Sequence, residues 1–304
     1  MSLLVTGSIG IDTVRTPLGV SEECLGGSAV YFSMAASFFS PVRFVGVVGE
    51  DCPFMLDEVF VGRDVDLAGL EIREGSKTFR WTGRYHENMD DRTTEVIELN
   101  VLGEGPPIVP ETFKDSRCVF LANTAPKLQQ ELLSQIPEPK FVAADTMNCW
   151  IGDHLSDLHD LLTRVDCLII NEDEAKMLAA DQNLIRAGRK ILELGPSVVV
   201  VKKGESGSMM CDADGRIFAM PAYPADEVID PTGAGDSFAG GFLGYISSMQ
   251  DAGEPDFDTL KAAVVYGTVT ASFTIAGFSL EGLQAADRNK IDKRFEFMRE
   301  VTRF

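Results

Sequence analysis

The residues best suited to chemistry lie in the segment 230–242, which reads DPTGAGDSFAGGF. Small residues at 233–235 leave their backbone N–H groups accessible to a ligand, and the apolar run after them predicts a buried helix over 237–249. A helix N-terminus attracts anions such as phosphate, so the Asp236 carboxylate would lie beside an anion that repels it. Such a carboxylate is suited to deprotonate an attacking hydroxyl in phosphoryl transfer. The alternative is a helix start that Asp236 and Ser237 simply cap.

Two glycine-containing segments near the N-terminus could hold a small molecule. The first, 7–12, follows a short apolar strand and ends in Asp12, which is either an acceptor for substrate hydroxyls or an ordinary turn residue. Its glycine pattern is incomplete for a dinucleotide site. The second, Gly26-Gly27, precedes a helical run and would let a ligand approach the helix N-terminus.

Two further segments follow buried strands later in the chain. Asn171 and Glu174 begin an acidic helix, whose carboxylates either complement the helix dipole or orient water on Mg²⁺, a cation that prefers oxygen ligands. The segment 203–207, KGESG, is either a plain hairpin turn or one wall of a nucleotide pocket.

Apolar strand-like runs alternate with helical runs, which predicts an α/β fold with a doubly wound, mostly parallel sheet flanked by helices. The predicted strands are 3–6, 43–48, 118–122, 141–145, 167–171 and 198–202, and the predicted helices are 28–39, 126–135, 172–180, 184–194, 237–249 and 257–273. Ligands of such sheets bind beyond the carboxyl ends of the strands. Thr6, Asn123, Asp145, Asn171 and Lys202 all fall at those ends.

The segment 78–101 departs from this pattern and predicts an antiparallel β-hairpin, to which 62–76 would lead. Phe79, Trp81 and Tyr85 would share one face, and an aromatic surface of this size needs something to cover. We therefore expect a small antiparallel β lid, with segments at about 12–25 and 77–102, inserted in a single domain over 1–304. The lid could cover the ligand crevice, mediate a homodimer, or do both.

Net charge, apolar content and cysteine spacing exclude several kinds of binding partner and site. A net charge of −20 argues against nucleic acid and against an anionic membrane surface, although backbone dipoles and a metal ion can still hold a nucleotide phosphate. No run approaches the roughly 20 apolar residues of a membrane span, and the first residues lack a signal-peptide pattern. Six scattered cysteines show no disulfide or zinc spacing. A cytoplasmic protein is expected.

The order of these motifs resembles the ribokinase-like (PfkB) carbohydrate kinase family, from residue 5 to about residue 283. The motifs that carry the resemblance are Asp12, Gly26-Gly27, Asn171-x-x-Glu174, Lys203-Gly204-x-x-Gly207 and the 230–242 segment, which is the most specific of them. The resemblance implies an enzyme that transfers the γ-phosphoryl group of ATP to a hydroxyl of a sugar or nucleoside. It implies Mg²⁺ as a cofactor and, in many members, K⁺ as well.

The resemblance also implies a role for each matching residue. Asp236 is the catalytic base, and the N–H groups of Gly233, Ala234 and Gly235 form the anion hole. The residues implied to bind the nucleotide are Asn171, Lys203, Gly204, Gly207 and Thr232; those implied to bind the acceptor are Asp12, Gly26, Gly27 and the residue at 31. Glu174 would hold Mg²⁺ through water. Asp230 and Thr232, with a later turn near Gly277 and Ser279, would hold a monovalent cation.

The chain departs from the family at Tyr31, where members usually carry an Asn that binds a sugar hydroxyl. The tyrosine could stack on a flat acceptor such as a nucleoside base, or pack within its helix. Two other functions are alternative hypotheses to a kinase. A non-catalytic sugar or nucleotide sensor would be expected to lose the base or the anion-hole glycines, which this chain keeps. A nicotinamide-dependent oxidoreductase is disfavoured by the incomplete glycine pattern at 7–12.

Overall fold

The computed structural model describes residues 2–249 and 255–303. Its strands are β1 (Leu3–Thr6), β2 (Gly10–Thr16), β3 (Gly19–Gly26), β4 (Val42–Gly49), β5 (Val65–Arg73), β6 (Phe79–Tyr85), β7 (Arg92–Glu98), β8 (Cys118–Leu121), β9 (Phe141–Ala144), β10 (Cys167–Asn171), β11 (Val198–Lys202), β12 (Ser208–Asp212) and β13 (Ile217–Met220). Its helices are α1 (Ser28–Ala36), α2 (Leu56–Val59), α3 (Pro126–Leu133), α4 (Asn148–Asp153), α5 (Leu155–Leu162), α6 (Glu172–Ala179), α7 (Leu184–Leu192), α8 (Ala234–Ser248), α9 (Phe257–Thr274), α10 (Glu281–Gln284) and α11 (Arg288–Val301).

Nine strands form the main sheet, in the order β13-β12-β11-β10-β9-β8-β1-β4-β5. The strands from β11 to β5 pair in parallel, whereas β12 and β13 extend one edge in antiparallel pairing. Strands β1, β8, β9 and most of β10 and β11 are fully buried, which explains their continuous apolar sequences. The prediction of a doubly wound, mostly parallel sheet is therefore confirmed.

Helices cover both faces of this sheet, and alternate residues of each strand enter different cores. On β1, Leu3 and Val5 join a core that also contains Leu260 of α9 and Ile291 of α11, while Leu4 joins the opposite core. Each fully buried aliphatic side chain contributes roughly 1.5–3 kcal/mol of hydrophobic stabilisation. This packing fixes the strand register and therefore the positions of the side chains at the strand ends.

The segment 62–76 differs from its expected role as a lead into the lid. Most of it forms β5, the edge strand of the main sheet, in parallel pairing with β4. Its sequence VDLAGLEIR is only partly buried, so it lacks the continuous apolar run that marks the central strands. An edge strand that faces solvent on one side gives this weaker signal.

A second sheet, which we call the lid, has the order β3-β2-β6-β7. Its two hairpins are antiparallel, whereas the inner strands β2 and β6 pair in parallel. The ladder between β6 and β7 skips Glu95 on β7, so the alternation along β6 is kept. Phe79, Trp81 and Tyr85 consequently share one face, as predicted. Tyr85 is buried, so this face is turned towards the main body of the protein; we call it the cleft face.

No disulfide bond joins the cysteines within the described part of the chain. All six cysteines are free thiols, and Cys118, Cys167 and Cys211 are buried in strands. Within the residues that the structure describes, no helix is long and apolar enough to cross a membrane.

Candidate active site

The N-termini of α1 and α8 meet beyond the carboxyl ends of the strands because two glycines let these helices pack closely. A Cβ built at Gly240 would lie 2.4 Å from the Phe32 carbonyl oxygen, and one at Gly244 would lie 2.9 Å from the Ala36 Cα. Any larger residue would force the helices apart. The close packing brings the helix start at Gly27 beside the one at Gly233.

The turn before α8 is built around Gly233, whose φ of 75° lies in the left-handed region. Only glycine fits this position, since a Cβ here would also lie 2.3 Å from the Tyr31 ring. The turn starts the helix at Ala234, three residues earlier than predicted, so Asp236 lies within the first helical turn. The N–H of Ala234 donates to the Pro231 carbonyl (3.2 Å), so one of the three predicted anion-hole donors has an internal partner.

The side chain of Tyr31 packs against this turn. It is 1% exposed, within α1, and its ring lies directly against Gly233. The ring therefore packs under the anion-hole turn, and its accessible surface is too small for a base to stack on it in this conformation.

Asp236 shares its surroundings with Lys202, at the end of β11. A Cβ built at Gly235 would lie 2.8 Å from the Lys202 Nζ. Burial raises the pKa of Asp236 to about 6, while the positive charges of Lys202 and Arg92 oppose this rise. A carboxylate with this pKa is mostly ionised at neutral pH and is basic enough to take a proton.

Two more carboxylates lie near Asp236. Glu174 forms a capping box at the start of α6: its Oε2 accepts from the Asn171 N–H (2.9 Å), and its own N–H donates to Asn171 Oδ1 (2.9 Å). Asp145 follows β9 and is buried, and its Oδ1 has no hydrogen-bond partner among the described residues. Burial and the charge of Asp236 raise the pKa of Asp145 well above its usual value, Lys202 opposes the rise, and Glu174 adds to it.

These oxygen ligands fit Mg²⁺ in number and chemistry. Mg²⁺ is usually bound by one or two carboxylates together with water and substrate phosphates, and Asp145 offers a buried oxygen that has no donor among the residues the structure describes. Within the described residues, no three His, Cys, Asp or Glu side chains form a metal cage of their own. A cation near Asp145 would relieve the repulsion by Asp236 and Glu174, which adds to the effect of burial on the pKa of Asp145.

Asp12 occupies the opposite end of the site, at the junction of the lid and the main sheet. Its carboxylate fills the space that glycines leave: a Cβ at Gly26 would lie 1.8 Å from its Oδ2, and one at Gly10 would lie 2.8 Å from its Oδ1. Burial, together with the charges of Asp230 and Asp236, raises the pKa of Asp12 to about 8. Its Oδ1 has no partner among the described residues, which leaves it available to a substrate hydroxyl.

The predicted cation-binding residues also come together. Asp230 is 1% exposed; its Oδ1 accepts from the Thr232 N–H (2.8 Å), and its Oδ2 has no partner among the described residues. Burial raises the pKa of Asp230, and hydrogen bonds from Thr232 and from the Ser279 backbone oppose the rise. The turn at 275–279 lies alongside, because the Ile229 N–H donates to the Ile275 carbonyl (2.8 Å).

The segment 203–207 links β11 to β12 as a hairpin turn, and it also meets the lid. Gly204 and Gly207 have φ values of 52° and 84°, and the Lys203 N–H donates to the Gly207 carbonyl (2.7 Å). A Cβ built at Gly204 would lie 2.6 Å from Oδ1 of Asp90, which belongs to the turn between β6 and β7. The lid therefore reaches across the site to this turn.

The predicted site residues thus gather at one end of the sheet, between the lid and two helix N-termini. Three residues of the site have no role predicted from the sequence: Lys202 and Asp145, which fall at predicted strand ends, and Arg92. For Lys202 and Asp145, the position at the end of a buried strand is the feature of the sequence that could have identified them.

Comparison with known proteins agrees with this geometry. Residues 116–281 match the family model of the pfkB family carbohydrate kinases. A cytidine kinase of Thermococcus kodakarensis is 31% identical over 254 residues, which cover 81% of this chain and 88% of that protein. The chain therefore belongs to the PfkB family of carbohydrate kinases, and it is a phosphotransferase with a hydroxyl group as acceptor.

Solved structures share the fold over almost the whole chain. A putative ribokinase II of Escherichia coli, in complex with ATP and Mg²⁺, has a TM-score of 0.77 at 19% identity and covers 97% of this chain and 99% of its own. A Burkholderia thailandensis nucleoside kinase in complex with inosine has a TM-score of 0.74 at 20% identity and covers 98% of both chains. The prediction of a ribokinase-like fold is confirmed.

Proposed function

We propose that this enzyme transfers the γ-phosphoryl group of ATP to a hydroxyl of a nucleoside, with Asp236 as the general base. The observation that carries the proposal is a pair of carboxylates, the buried Asp12 and the partly buried Asp236, which are close enough for the charge of Asp236 to raise the pKa of Asp12. One carboxylate can hold the acceptor while the other deprotonates it.

The reaction then follows from the positions of these groups. Asp12 accepts hydrogen bonds from hydroxyls of the acceptor, with the glycine backbone at Gly26 and Gly27 allowing close approach. The reacting hydroxyl gives its proton to Asp236 as its oxygen bonds to the γ-phosphorus, and the bond from phosphorus to the β-phosphate oxygen breaks to release ADP. A general base of this kind contributes about 10²–10⁴ in rate.

Two kinds of hydrogen-bond donor can stabilise the negative charge of the phosphoryl group during transfer. N–H groups in the first turn of α8 lack intrahelical partners and belong to the positive end of the helix dipole. Lys202 adds a full positive charge next to Gly235. Removing one such donor typically costs about 10²–10³ in rate.

Asp145 and Glu174 are the residues that would hold Mg²⁺, and Asn171 would fix the orientation of Glu174 through the capping box. When bound, the metal neutralises phosphate charge and helps to orient the γ-phosphoryl group. The turn at Lys203, Gly204 and Gly207 would line the nucleotide.

The lid favours a nucleoside over a free sugar as acceptor. Trp81 lies opposite Asp12 in the parallel ladder between β2 and β6. Its indole lies against Gly83, where a Cβ would come within 2.0 Å of the ring, and its Nε1–H donates to Thr94 Oγ1 (3.2 Å). An aromatic face held in this way is a platform for a planar base, with about 1–3 kcal/mol for each stacked base. The names of the cytidine kinase and of the inosine-bound nucleoside kinase agree with this choice.

An ADP-release assay with Mg²⁺ tests the proposal across cytidine, adenosine, inosine, ribose, fructose and a deoxysugar acid. We expect a nucleoside to give the highest kcat/KM. A free sugar that exceeds every nucleoside would identify a sugar kinase and refute the nucleoside assignment. If no acceptor stimulates ADP release while ATP still binds, the protein is a sensor rather than an enzyme.

The same assay with and without K⁺ tests the cation assignment. The buried, unpartnered Oδ2 of Asp230 supports a site for a monovalent cation, with the turn at Gly277 and Ser279 as its second side. We expect K⁺ to raise kcat in the wild type and to have no effect in Asp230→Asn.

Homodimerisation through the lid is proposed on the strength of its exposed apolar side chains, among them Leu18, Val20 and Val96. Apolar groups that cluster at the surface often mark a contact with another protein. Light scattering on the purified chain, with Val96→Asp for comparison, tests this proposal; a wild-type monomer would contradict it.

A further inference from the structure

The tip of the lid carries an arginine on the cleft face. Arg92, the first residue of β7, lies directly opposite Tyr85 in the antiparallel ladder. Directly opposed residues of antiparallel strands project to the same side of a sheet, so Arg92 shares the face of Tyr85. Tyr85 is buried, and its hydroxyl accepts from Thr232 Oγ1 (3.3 Å). The pairing therefore places Arg92 next to the turn that precedes α8.

The lid touches the site at two points, both of which come shortly before Arg92 in the chain. One is the contact between Tyr85 and Thr232, in the turn before α8. The other is the contact between Asp90 and Gly204, in the turn after β11. Because Arg92 pairs with Tyr85 and follows Asp90 by two residues, its exposed side chain starts close to both turns.

The charge of Arg92 acts on groups of three different elements. It lowers the pKa of Tyr85 on the lid, of Glu174 on α6 and of Asp236 on α8, in each case against a larger rise caused by burial. A single cation that acts on all three groups must lie near the point where they converge.

The other arginines of the hairpin differ from Arg92. Arg80 pairs with Asp51 (3.3 Å) and Glu23 (3.4 Å), and Arg84 pairs with Glu95 (2.6 Å). Both project from the outer face of the lid, since they alternate with Trp81 and Tyr85 along β6. Among the described residues, Arg92 forms no ion pair with a carboxylate within 4.0 Å. Its side chain interacts with the neutral Tyr85 hydroxyl, so its charge is available to an anionic ligand.

We propose that Arg92 is a catalytic residue of the lid, which donates hydrogen bonds to the transferring phosphoryl group when the lid is closed over both substrates. The proposal rests on the proposed kinase function. No covalent bond to Arg92 forms: the acceptor oxygen bonds to phosphorus, the bond to the ADP leaving group breaks, and the proton passes to Asp236. The guanidinium offers a planar pair of N–H donors that matches the phosphoryl oxygens.

This position couples chemistry to acceptor binding. The same sheet carries Asp12 and Trp81 at its acceptor end and Arg92 at its phosphoryl end. An acceptor that holds the lid closed therefore also places the arginine over the phosphate. We expect ATP hydrolysis to stay slow without acceptor, because the open lid removes Arg92 from the site.

The test compares Arg92→Ala and Arg92→Lys with Arg84→Ala, a matched lid substitution on the outer face. We expect Arg92→Ala to lower kcat about 10²–10³-fold with the KM for ATP changed by less than about threefold, and Arg84→Ala to leave both unchanged. Added guanidinium ion should restore part of the activity of Arg92→Ala, an effect that a purely structural role would not produce. Arg92→Ala with a kcat within twofold of wild type would overturn the proposal, as would a defect confined to the KM for ATP.

A binding measurement separates this inference from the identity of the acceptor. Calorimetry with Mg²⁺–ADP, with and without aluminium fluoride as a mimic of the transferring phosphoryl group, needs no turnover. We expect Arg92→Ala to bind ADP as wild type does and to lose the extra affinity that the fluoride complex gives. Equal gains in both proteins would refute the role of Arg92, whereas absence of ADP release with every acceptor would refute only the proposed kinase function.

Discussion

Replacement of Asp12 by Asn should stabilise the protein while it weakens acceptor binding. The carboxylate is 5% exposed and lies near two other acidic residues, Asp230 and Asp236, whose charges oppose its ionisation. An amide has nearly the same shape and carries no charge. The substitution therefore removes the cost of ionising a buried carboxyl, but it also replaces one carboxyl oxygen by an amide nitrogen, which cannot accept a hydrogen bond from a substrate hydroxyl.

The size of the effect follows from the pKa of Asp12, which is raised from 3.8 to about 8 in the folded chain. The unfolded chain loses this proton near pH 4, whereas the folded chain keeps it up to about pH 8, so rising pH favours unfolding of the wild type. One pKa unit is worth about 1.4 kcal/mol. Over the roughly three pH units between 4 and 7, the free energy of unfolding of the wild type should fall by about 4 kcal/mol relative to Asp12→Asn.

Urea denaturation of both proteins at intervals between about pH 5 and pH 8 measures this difference. We expect it to grow by about 1.4 kcal/mol per pH unit and to level off above about pH 8. The KM for the acceptor at pH 7 should rise about 2- to 10-fold, as for loss of a neutral hydrogen bond. Asp57→Asn, at an exposed position of α2, controls for the loss of one negative charge. A difference that does not change with pH would refute the raised pKa of Asp12.

Two further predictions concern the anion-hole turn and its base. Because the pKa of Asp236 is about 6, kcat/KM should fall about tenfold per pH unit below that value. Lys202→Met should move this acid limb to higher pH, since Lys202 lowers the pKa of Asp236; a limb that stays in place in a pH–rate profile would show that Asp236 is not the titrating group. Gly233→Ala should lose far more stability than Gly215→Ala in thermal unfolding. Both glycines have φ near 80°, but a Cβ would clash with the Tyr31 ring only at Gly233, because Gly215 has open space around it. Backbone strain alone would cost each variant about 1–3 kcal/mol. Equal losses of stability in the two variants would therefore contradict the packing described for Tyr31.

Motifs that follow buried strands could be predicted from the sequence because composition marks those strands directly. The runs 167–170 and 198–201 are apolar and fully buried, so the polar residues after them had to lie at one edge of the sheet. Strand β5 was missed for the converse reason, since its alternating, partly exposed sequence gives no such run.

Which of two neighbouring side chains enters the site could not be predicted. Lys202 and Lys203 are adjacent, and a shift of one residue turns a side chain to the opposite face of a strand. The structure places Lys202 against Gly235. Arg92 faces the cleft because the ladder skips Glu95, and the position of such a bulge depends on tertiary packing that the local sequence does not encode.

The central claim is that Asp236 is the base of a phosphoryl transfer, and one comparison tests it most directly. ADP release in the presence of the best acceptor is measured for the wild type and for Asp236→Asn, with ATP affinity determined in parallel by calorimetry. We expect turnover to fall by about 10²–10⁴ while ATP binds with unchanged or slightly higher affinity, because a negative charge beside the phosphates is lost. Turnover by Asp236→Asn within tenfold of the wild type would contradict the account.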